Sequence, residues 1–333
     1  MRLSLSTVLW FCLGVVIVVP VALVLWVGGI GPARPPGTEE LVTIWVEGQG
    51  PLTLALEDYL VGVVAAEVPA LFEPEALKAQ AVAARTYTVR AMRKYGGPGC
   101  ADHPEADLST DPRRGQAWAT SAALRKKWGF WSYYRLWRRV ARAVEETRDE
   151  ILTYGGQPIA AVYSSTCGGR TENAEDVWGT YAPYLRSVPC SWDRESPRYS
   201  ETVFISRAEL ERKLGVSAGA LAAAGKAKPE PLAILTTGPS GRVREAMVGG
   251  KRFSGLELRE KLGLRSTRFT WRRRGDGVEI QTVGNGHGVG LCQYGANGLA
   301  KLGRSYREIL SYYYPGTVLQ KLSQYQPPTN RQP

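Results

Sequence analysis

The sequence predicts an α+β protein in which helices pack against antiparallel or mixed sheets, following one N-terminal transmembrane helix. Apolar residues recur three and four positions apart over residues 56–95, which indicates two adjoining helices. Residues 41–56 and 151–165 alternate apolar and polar side chains, a pattern typical of half-buried strands. With 333 residues and 44% hydrophobic content, the chain can fold as one large domain with a substantial core.

The apolar N-terminus predicts a membrane anchor. Residues 3–30 carry no charged side chain and are long enough to cross a hydrocarbon layer of ~30 Å. A secretory signal peptide would have a shorter apolar core and a small-residue cleavage site, and neither is evident. We therefore expect residues 1–30 to form an uncleaved single-pass anchor and residues 31–40 a proline-rich linker. The remaining chain is then expected outside the cytoplasm.

The charge balance narrows the classes of partner. A formal net charge of +11 favours an acidic partner such as nucleic acid, anionic lipid or cell-wall polymer. The expected location outside the cytoplasm argues against nucleic acid. The whole chain contains two histidines, His103 and His287, which excludes a metal site built from several histidines.

The first helical pattern ends at a candidate general acid. A hairpin over residues 41–56 leads into this helix, in which Leu60, Val63 and Glu67 share one apolar stripe. Val68 precedes Pro69 and is disfavoured in helical conformation, so the helix should end close to Glu67. Apolar neighbours and the negative end of the helix dipole both favour the protonated carboxyl. A carboxyl that keeps its proton is suited to general acid catalysis.

A structural role for Glu67 is also consistent with this pattern, and from the pattern alone it is favoured over catalysis. A nearby lysine or arginine would bind the carboxylate and lower its pKa. The second helix is expected to begin at Glu73-Pro74-Glu75, where a proline and acidic residues suit a first turn. This helix is rich in alanine and carries Lys78 and Arg85 seven positions apart on one face.

The middle of the chain is basic and aromatic. Residues 96–115 look like a loop, and residues 117–144 have a helical pattern with Trp137 expected in the core. The other aromatic side chains could stack on sugar rings, lie at a membrane surface, or simply pack beside a solvated basic face. Residues 151–165 predict a second hairpin turned at Gly155-Gly156, followed by a loop of small residues over 166–171.

The last third of the chain contains predicted helices and strands without an evident chemical role, and one glycine-rich segment around His287. Residues 207–214 and 254–262 predict helices, and residues 233–237 and 242–248 predict strands. Glycines around His287 allow its side chain to approach other groups closely, for a functional or a structural purpose. Further on, Ser305 and Glu308 have the spacing of a capping box that opens a short helix. Residues 320–333 are polar and proline-rich, and we expect a disordered tail there.

The five cysteines leave several pairings open. Cys12 lies in the expected anchor, and the other four permit three full connectivities in an oxidising compartment. A Cys167–Cys190 disulfide would close a loop of 22 intervening residues and contribute roughly 3 kcal/mol. Cys292 follows His287 by five positions, a spacing that rarely forms a catalytic pair. Neither an HExxH motif nor paired CxxC motifs are present.

Three long motifs resemble one known family. They are LEDYLVGVVAAEVPALFEPEALKAQAVAARTY, VYSSTCGGRTENAEDVW and GHGVGLCQYGANGLAKLGRSYREILSYYYPGT. In this order they are similar to the stage II sporulation protein D family, also called the SpoIID/LytB domain, over residues 41–319. The resemblance implies a peptidoglycan lytic transglycosylase that cuts glycan strands stripped of stem peptides during engulfment. It identifies Glu67 with the catalytic glutamate of the family.

The resemblance also implies further site residues. Lys78, Gln80 and Arg85 would line the cleft beside Glu67, Ser164, Ser165 and Thr166 would meet the glycan, and His287 and Gln293 would complete the floor. A single glutamate is sufficient, since it protonates the leaving oxygen and then accepts the proton of the C6 hydroxyl. Two-carboxylate hydrolases need a second acid.

One departure from the family concerns metal. Some members bind zinc through a histidine and two later cysteines in the loop after the catalytic helices. Here His103 is retained, but Ser109 and Gly115 stand where those cysteines are expected. We therefore expect no zinc at this loop, and no other cofactor.

Two other functions remain consistent with the resemblance. The LytB branch implies a non-catalytic cell-wall-binding protein that enhances an amidase. The chain could also be a membrane-anchored structural partner in a wall-remodelling complex that includes an amidase.

Overall fold

The computed structural model describes residues 39–216 and 232–327. Within these ranges the chain forms α-helices and short strands that confirm the predicted α+β class. The helices are α1 (Leu56–Glu67), α2 (Pro74–Ala91), α3 (Ser121–Trp128), α4 (Phe130–Glu146), α5 (Ala174–Trp178), α6 (Arg207–Leu214), α7 (Gly255–Leu262), α8 (Gln293–Lys301) and α9 (Tyr306–Tyr313).

The strands form small sheets of two or three members. They are β1 (Leu41–Val46), β2 (Gly50–Ala55), β3 (Leu108–Ser109), β4 (Glu150–Tyr154), β5 (Gln157–Pro158), β6 (Tyr163–Ser164), β7 (Gly169–Arg170), β8 (Pro189–Cys190), β9 (Ser200–Ser206), β10 (Leu232–Thr237), β11 (Val243–Val248), β12 (Lys251–Ser254), β13 (Phe269–Arg274), β14 (Gly277–Val283), β15 (Leu291–Cys292) and β16 (Val318–Lys321). The sheet orders are β2-β1-β3, β10-β11-β12, β13-β14-β9, β15-β6, β16-β4-β5 and β7-β8.

The corner between α1 and α2 follows from local sequence. Val68 leaves the helix with φ −127° and ψ 154°, the extended conformation expected of a residue before proline. Its N–H still bonds to Val64 O at 3.1 Å. Helix α2 then begins at Pro74, as predicted. Its alanines at 79, 81, 83 and 84 are fully buried, because small side chains let neighbouring elements approach its backbone.

Two groups of buried apolar residues stabilise the fold. The larger group surrounds α1 and α2 and includes Tyr59, Leu60 and Val82. The smaller group joins β9, β11, β14, α6 and α7, and Ile280 and Leu258 are fully buried within it. The helices and strands predicted between residues 207 and 262 fall where expected.

The basic aromatic segment differs from its prediction. Residues 117–120 are not helical, and the helical part is broken at Gly129 into α3 and α4. Trp137, expected in the core, is 36% exposed, and Trp131 is 90% exposed. The buried face of α4 is instead formed by Tyr133, Leu136, Val140, Ala143 and Val144.

Two further predictions differ from the structure, and a third lies outside the described residues. The predicted hairpin does turn at Gly155-Gly156, where β4 pairs antiparallel with β5. Strand β5 is only two residues long, however, and β6 pairs with β15 instead of extending the hairpin. The chain beyond residue 320 is structured as far as Tyr325: β16 extends to Lys321, and Leu322 and Tyr325 are buried. The predicted anchor over residues 1–30 lies outside the described residues, and no helix within the described ranges is long and apolar enough to cross a membrane.

Candidate active site

Glu67 occupies the last position of α1 and remains partly exposed. Its Oε1 accepts a hydrogen bond from the backbone N–H of Ala117 at 2.9 Å. This N–H is available because residues 117–120 are not helical. Ala119 N–H bonds to Gly62 O at 3.3 Å and fixes the same segment along α1.

Gly62 is required for this contact between the segment and α1. A Cβ at position 62 would lie 2.3 Å from Trp118 Nε1 and 2.8 Å from Ala119 O. Any larger residue would therefore push the segment that carries the Ala117 N–H away from the helix.

The electrostatic environment raises the pKa of the Glu67 carboxyl. Burial raises it, while hydrogen bonds from Ala117, Gln293 and Tyr163 lower it by a smaller total. Ala117, Gln293 and Tyr163 are all uncharged. Among these described partners there is therefore no lysine or arginine salt bridge of the kind that a structural role for Glu67 would involve. A carboxyl with a raised pKa keeps its proton to higher pH, which suits a general acid.

Tyrosines surround the same carboxyl. The pKa values of Tyr59, Tyr87 and Tyr163 are raised by burial and, to a smaller extent, by the charge of Glu67. Tyr163 donates to Gln116 Oε1 at 2.7 Å, and Gln116 Nε2 donates to Thr88 Oγ1 at 2.9 Å. This buried chain of hydrogen bonds holds the Tyr163 hydroxyl in place, with its proton directed to Gln116.

Open volume lies next to these tyrosines. Tyr87 lines a cavity of about 260 Å³. Arg90 and Tyr95 line it on the same side of the sequence, and Gln157 and Ala160, which follow β4, also line it. Glu67 is not among the residues that line this cavity.

Gln293 and Gln80 occupy another side of the site. The parallel pairing of β15 with β6 aligns Cys292 with Ser164 and brings Gln293, the first residue of α8, towards Tyr163. Gln293 Nε2 donates to Gln80 Oε1 at 3.4 Å. Gln80 is buried, and its Nε2 has no hydrogen-bond partner within the described ranges. Gln293 therefore contacts the carboxyl, and Gln80 holds Gln293 from the interior.

Arg85 does not line the cleft, which corrects the prediction. Its guanidinium is fully buried and binds both oxygens of Glu57, at 3.0 and 2.6 Å. It also donates to Val144 O and Glu150 O at 3.1 and 3.2 Å. With its donors committed to the interior, Arg85 joins α1, α2 and the end of α4.

Lys78 is also committed to other residues. Its ammonium binds Glu75 at 2.8 Å and Glu146 at 2.7 Å, and its side chain is 18% exposed. The predicted role in binding a glycan would require breaking both ion pairs.

The serine and threonine loop divides between surface and interior. Thr166 is fully buried and its hydroxyl bonds to Ser196 Oγ at 2.7 Å, which corrects its predicted contact with glycan. Ser164 is buried beneath the loop at Gly286, and its Oγ has no partner among the described residues. Ser165 is partly exposed and is the one of the three that remains open to a ligand.

His287 acts on the backbone of the site. Its Nε2 lies 2.9 Å from Tyr163 O, and its Nδ1 accepts from Val289 N–H at 3.1 Å. These contacts assign the proton to Nε2, which donates to the carbonyl. Burial and the charge of Arg242 lower the pKa of His287 to about 4. A neutral imidazole thus positions Tyr163, and both ring nitrogens are unavailable to substrate.

Sequence reasoning missed Tyr163, Gln116 and the Ala117 N–H. Tyr163 directly precedes the serines of the second motif, so its position in that motif was the available signal. Gln116 and Ala117 are 49 and 50 positions from Glu67 along the chain, and no local pattern links them to it.

The zinc site expected of some relatives does not fit the loop at His103. The His103 ring stacks on Trp45 with 3.8 Å between centroids, and no group of three metal-binding side chains includes it within the described ranges.

The predicted Cys167–Cys190 disulfide is not formed: both thiols are free and buried.

Comparison with known proteins identifies relatives of this chain. The family model SpoIID, described as Stage II sporulation protein, matches residues 52–154, which include Glu67 and Gln116. Stage II sporulation protein D of Bacillus subtilis (strain 168) is 44% identical over 266 residues, covering 80% of this chain and 74% of the relative. The protein of the same name from Bacillus amyloliquefaciens is 42% identical over 264 residues, with 79% and 73% covered. The Amidase enhancer of Bacillus subtilis (strain 168) is 29% identical over 311 residues, 78% of this chain and 40% of that protein.

Proposed function

Because this chain belongs to the stage II sporulation protein D family, we propose that it is a peptidoglycan lytic transglycosylase acting in sporulation. The observation that carries the proposal is the environment of Glu67. Its pKa is raised by burial, and the groups that contact it are uncharged hydrogen-bond donors. Such a carboxyl keeps its proton to higher pH than an exposed glutamate does, and it can deliver that proton to a leaving group.

The proposed reaction needs one carboxyl. Protonated Glu67 gives its proton to the glycosidic oxygen as the bond from C1 of N-acetylmuramic acid breaks. The resulting carboxylate then accepts the proton of the C6 hydroxyl of the same sugar, whose oxygen bonds to C1. The products are a 1,6-anhydro sugar and a new free chain end, and Glu67 recovers its proton. Water is not consumed, in contrast to the two-carboxylate hydrolases.

The surrounding residues would divide the remaining tasks. Ala117 N–H would stabilise the carboxylate formed after proton transfer, with Gln293 and Tyr163 beside it. Ser165 is available for a sugar hydroxyl. The net charge of +11 suits a glycan that carries lactyl carboxylates.

The test is a product analysis with the full chain in mild detergent. Amidase-treated peptidoglycan is incubated with the wild-type chain, Glu67→Gln or Glu260→Gln, an exposed carboxyl on α7 that serves as the control. Mass spectrometry should detect 1,6-anhydro-muramyl products with wild type and Glu260→Gln, and only traces with Glu67→Gln. Unchanged turnover by Glu67→Gln would exclude the mechanism.

A second function is favoured by the relative whose name is Amidase enhancer. On this alternative the chain binds wall glycan and stimulates an amidase without cleaving sugar bonds. Wild type would then release no anhydro products, and Glu67→Gln would stimulate the amidase as well as wild type does. The two functions are separated by the sugar products, because an enhancer produces none. Membrane attachment and an amidase partner remain part of the proposal in both cases.

A further inference from the structure

Three free cysteines and one aspartate converge next to the candidate active site. Cys167, Cys190, Cys292 and Asp193 each present one ligand atom, and all four atoms lie within 4.8 Å of one another. All four residues are completely buried. They come from the loop after β6, from β8 and the turn that follows it, and from β15. No such cluster is evident from the sequence, where Cys292 stands about a hundred positions from the others.

We propose that these four residues form a structural zinc site with a Cys₃Asp ligand set. A tetrahedral zinc ion with Zn–S near 2.3 Å and Zn–O near 2.1 Å places sulfur and oxygen ligands roughly 3.6 Å apart. In the structure Asp193 Oδ2 lies 3.2 Å from Cys167 Sγ and 3.7 Å from Cys292 Sγ. Sulfur-rich tetrahedral sites select zinc, and a carboxylate oxygen in the set favours zinc over Cu(I).

The carboxylate of Asp193 supplies an independent reason for a cation. Its Oδ1 is buried and has no hydrogen-bond partner among the described residues. Its Oδ2 accepts from Gly168 N–H at 2.6 Å. A carboxylate buried among neutral thiols without a cation is costly. Zinc bound at Oδ2 would neutralise the charge of the carboxylate and so lower this cost, and the thiols would release their protons to solvent on binding.

Hydrogen-bond donors are already aimed at the ligands. Cys167 N–H donates to Cys292 Sγ at 3.3 Å, and Tyr313 Oη lies 3.1 Å from Cys190 Sγ. Such donors stabilise thiolates and orient them, as outer-shell groups do in zinc sites. The buried guanidinium of Arg242 donates to Cys167 O at 3.2 Å and offsets part of the negative charge of the ligands.

The space around the cluster is closed to a larger side chain. A Cβ at Gly295 would lie 2.4 Å from Cys190 Sγ and 2.3 Å from Tyr313 Oη. With four protein ligands and no open position, the site suits a structural ion rather than a catalytic one. It would bind together the loop that carries Ser165 and the start of α8, where Gln293 directly follows Cys292. This donor set differs from the His103 loop, at which zinc was not expected.

The test measures metal content in the full chain, purified in mild detergent with reductant and without chelator. Elemental analysis should find about one zinc ion per chain. Replacement of zinc by Co²⁺ should produce the visible absorption of tetrahedral cobalt together with thiolate-to-cobalt charge-transfer bands. This cobalt measurement uses the wild-type chain, so it does not depend on whether any variant folds.

Variants locate the ion. Cys190→Ser and Asp193→Asn should each lower the zinc content at least several-fold. Cys100→Ser is the matched control, because Cys100 is a buried free cysteine outside the cluster, and it should retain the wild-type content.

Three results would overturn the proposal. The first is wild-type protein without zinc whose cobalt spectrum lacks thiolate bands. The second is a Cys167–Cys190 disulfide in protein isolated without reductant, seen as a mass lower by two hydrogens and two fewer alkylated cysteines. The third is zinc lost from Cys100→Ser but kept by Cys190→Ser. None of these measurements depends on glycan cleavage, so the zinc site and the proposed function can fail separately.

Discussion

The Glu67 carboxylate receives its hydrogen bond from Ala117, a residue 50 positions later in the chain, at 2.9 Å between Oε1 and the backbone nitrogen. The donor belongs to residues 117–120. These residues can lie along α1 because Gly62 has no side chain. An uncharged donor stabilises the carboxylate only moderately, so burial still determines the direction of the pKa shift. The first two predictions follow from this net rise in the pKa of Glu67.

Activity should decline with rising pH as Glu67 loses its proton. The raised pKa of this buried carboxyl extends the protonated form to higher pH, and the first step requires that form. The rate of anhydro-sugar release, measured as kcat/KM across pH, should fall on the alkaline side with a slope of one proton. A rate that rises through this region would contradict a general-acid role.

Glu67→Gln should also change how stability depends on pH. The folded-state pKa of Glu67 lies above its unfolded value, so the associated stability is complete below the unfolded pKa and is lost as pH rises through the folded pKa. Glutamine does not titrate. Urea unfolding should therefore show Glu67→Gln gaining stability relative to wild type as pH rises. A constant difference between the two proteins at every pH would count against this reading.

Tyr163→Phe should shift the alkaline limb of the activity profile to higher pH. The polar contact with the Tyr163 hydroxyl lowers the pKa of Glu67, and its loss leaves the effect of burial less opposed. Activity at the optimum should fall roughly 10-fold, the equivalent of one ordinary hydrogen bond. Tyr314→Phe is the control: its hydroxyl donates to Val162 O at 2.7 Å, and removing it should reduce stability without moving the limb.

Arg85→Met should damage stability rather than substrate binding. The variant leaves Glu57 buried without its guanidinium, a change that costs about 3–5 kcal/mol. Arg142→Met removes an exposed ion pair with Glu146 and should cost less than about 1 kcal/mol. Urea unfolding compares the two. If Arg85→Met kept its stability but raised KM for glycan, the guanidinium would have to contact substrate after all.

Protonation of His287 should lower the stability of the fold in acid. The dependence of activity on pH should show no step that is due to this histidine. Its folded pKa of about 4 lies below the ordinary value of 6.5, so the unfolded chain binds the extra proton first as pH falls. Stability should decrease between these two values by up to about 3 kcal/mol. His287→Asn, which keeps an acceptor near Nδ1, should flatten this slope in urea titrations from pH 7 to 4. An equally steep slope in the variant would assign the effect to other groups.

Much of the local structure was predictable from short-range patterns. The end of α1 at Glu67, the start of α2 at Pro74 and the capping box of Ser305 and Glu308 all appear as expected. Each depends on residues within a few positions of one another, where backbone conformation and helix periodicity are decided. The prediction failed at residues 117–120, whose conformation depends on packing against Gly62.

The sequence alone determined which side chain could serve as the acid, because the apolar stripe of α1 and the Val68-Pro69 pair place Glu67 at a helix end. Only the tertiary structure decided what surrounds that acid. It enclosed Arg85 with Glu57 and brought Tyr163 and Gln293 to the carboxyl through the pairing of β6 with β15. It also gathered Cys167, Cys190, Cys292 and Asp193 into one cluster. The physical reason is that periodicity encodes which face of an element is buried, whereas contacts between distant segments depend on how all the buried faces pack at once.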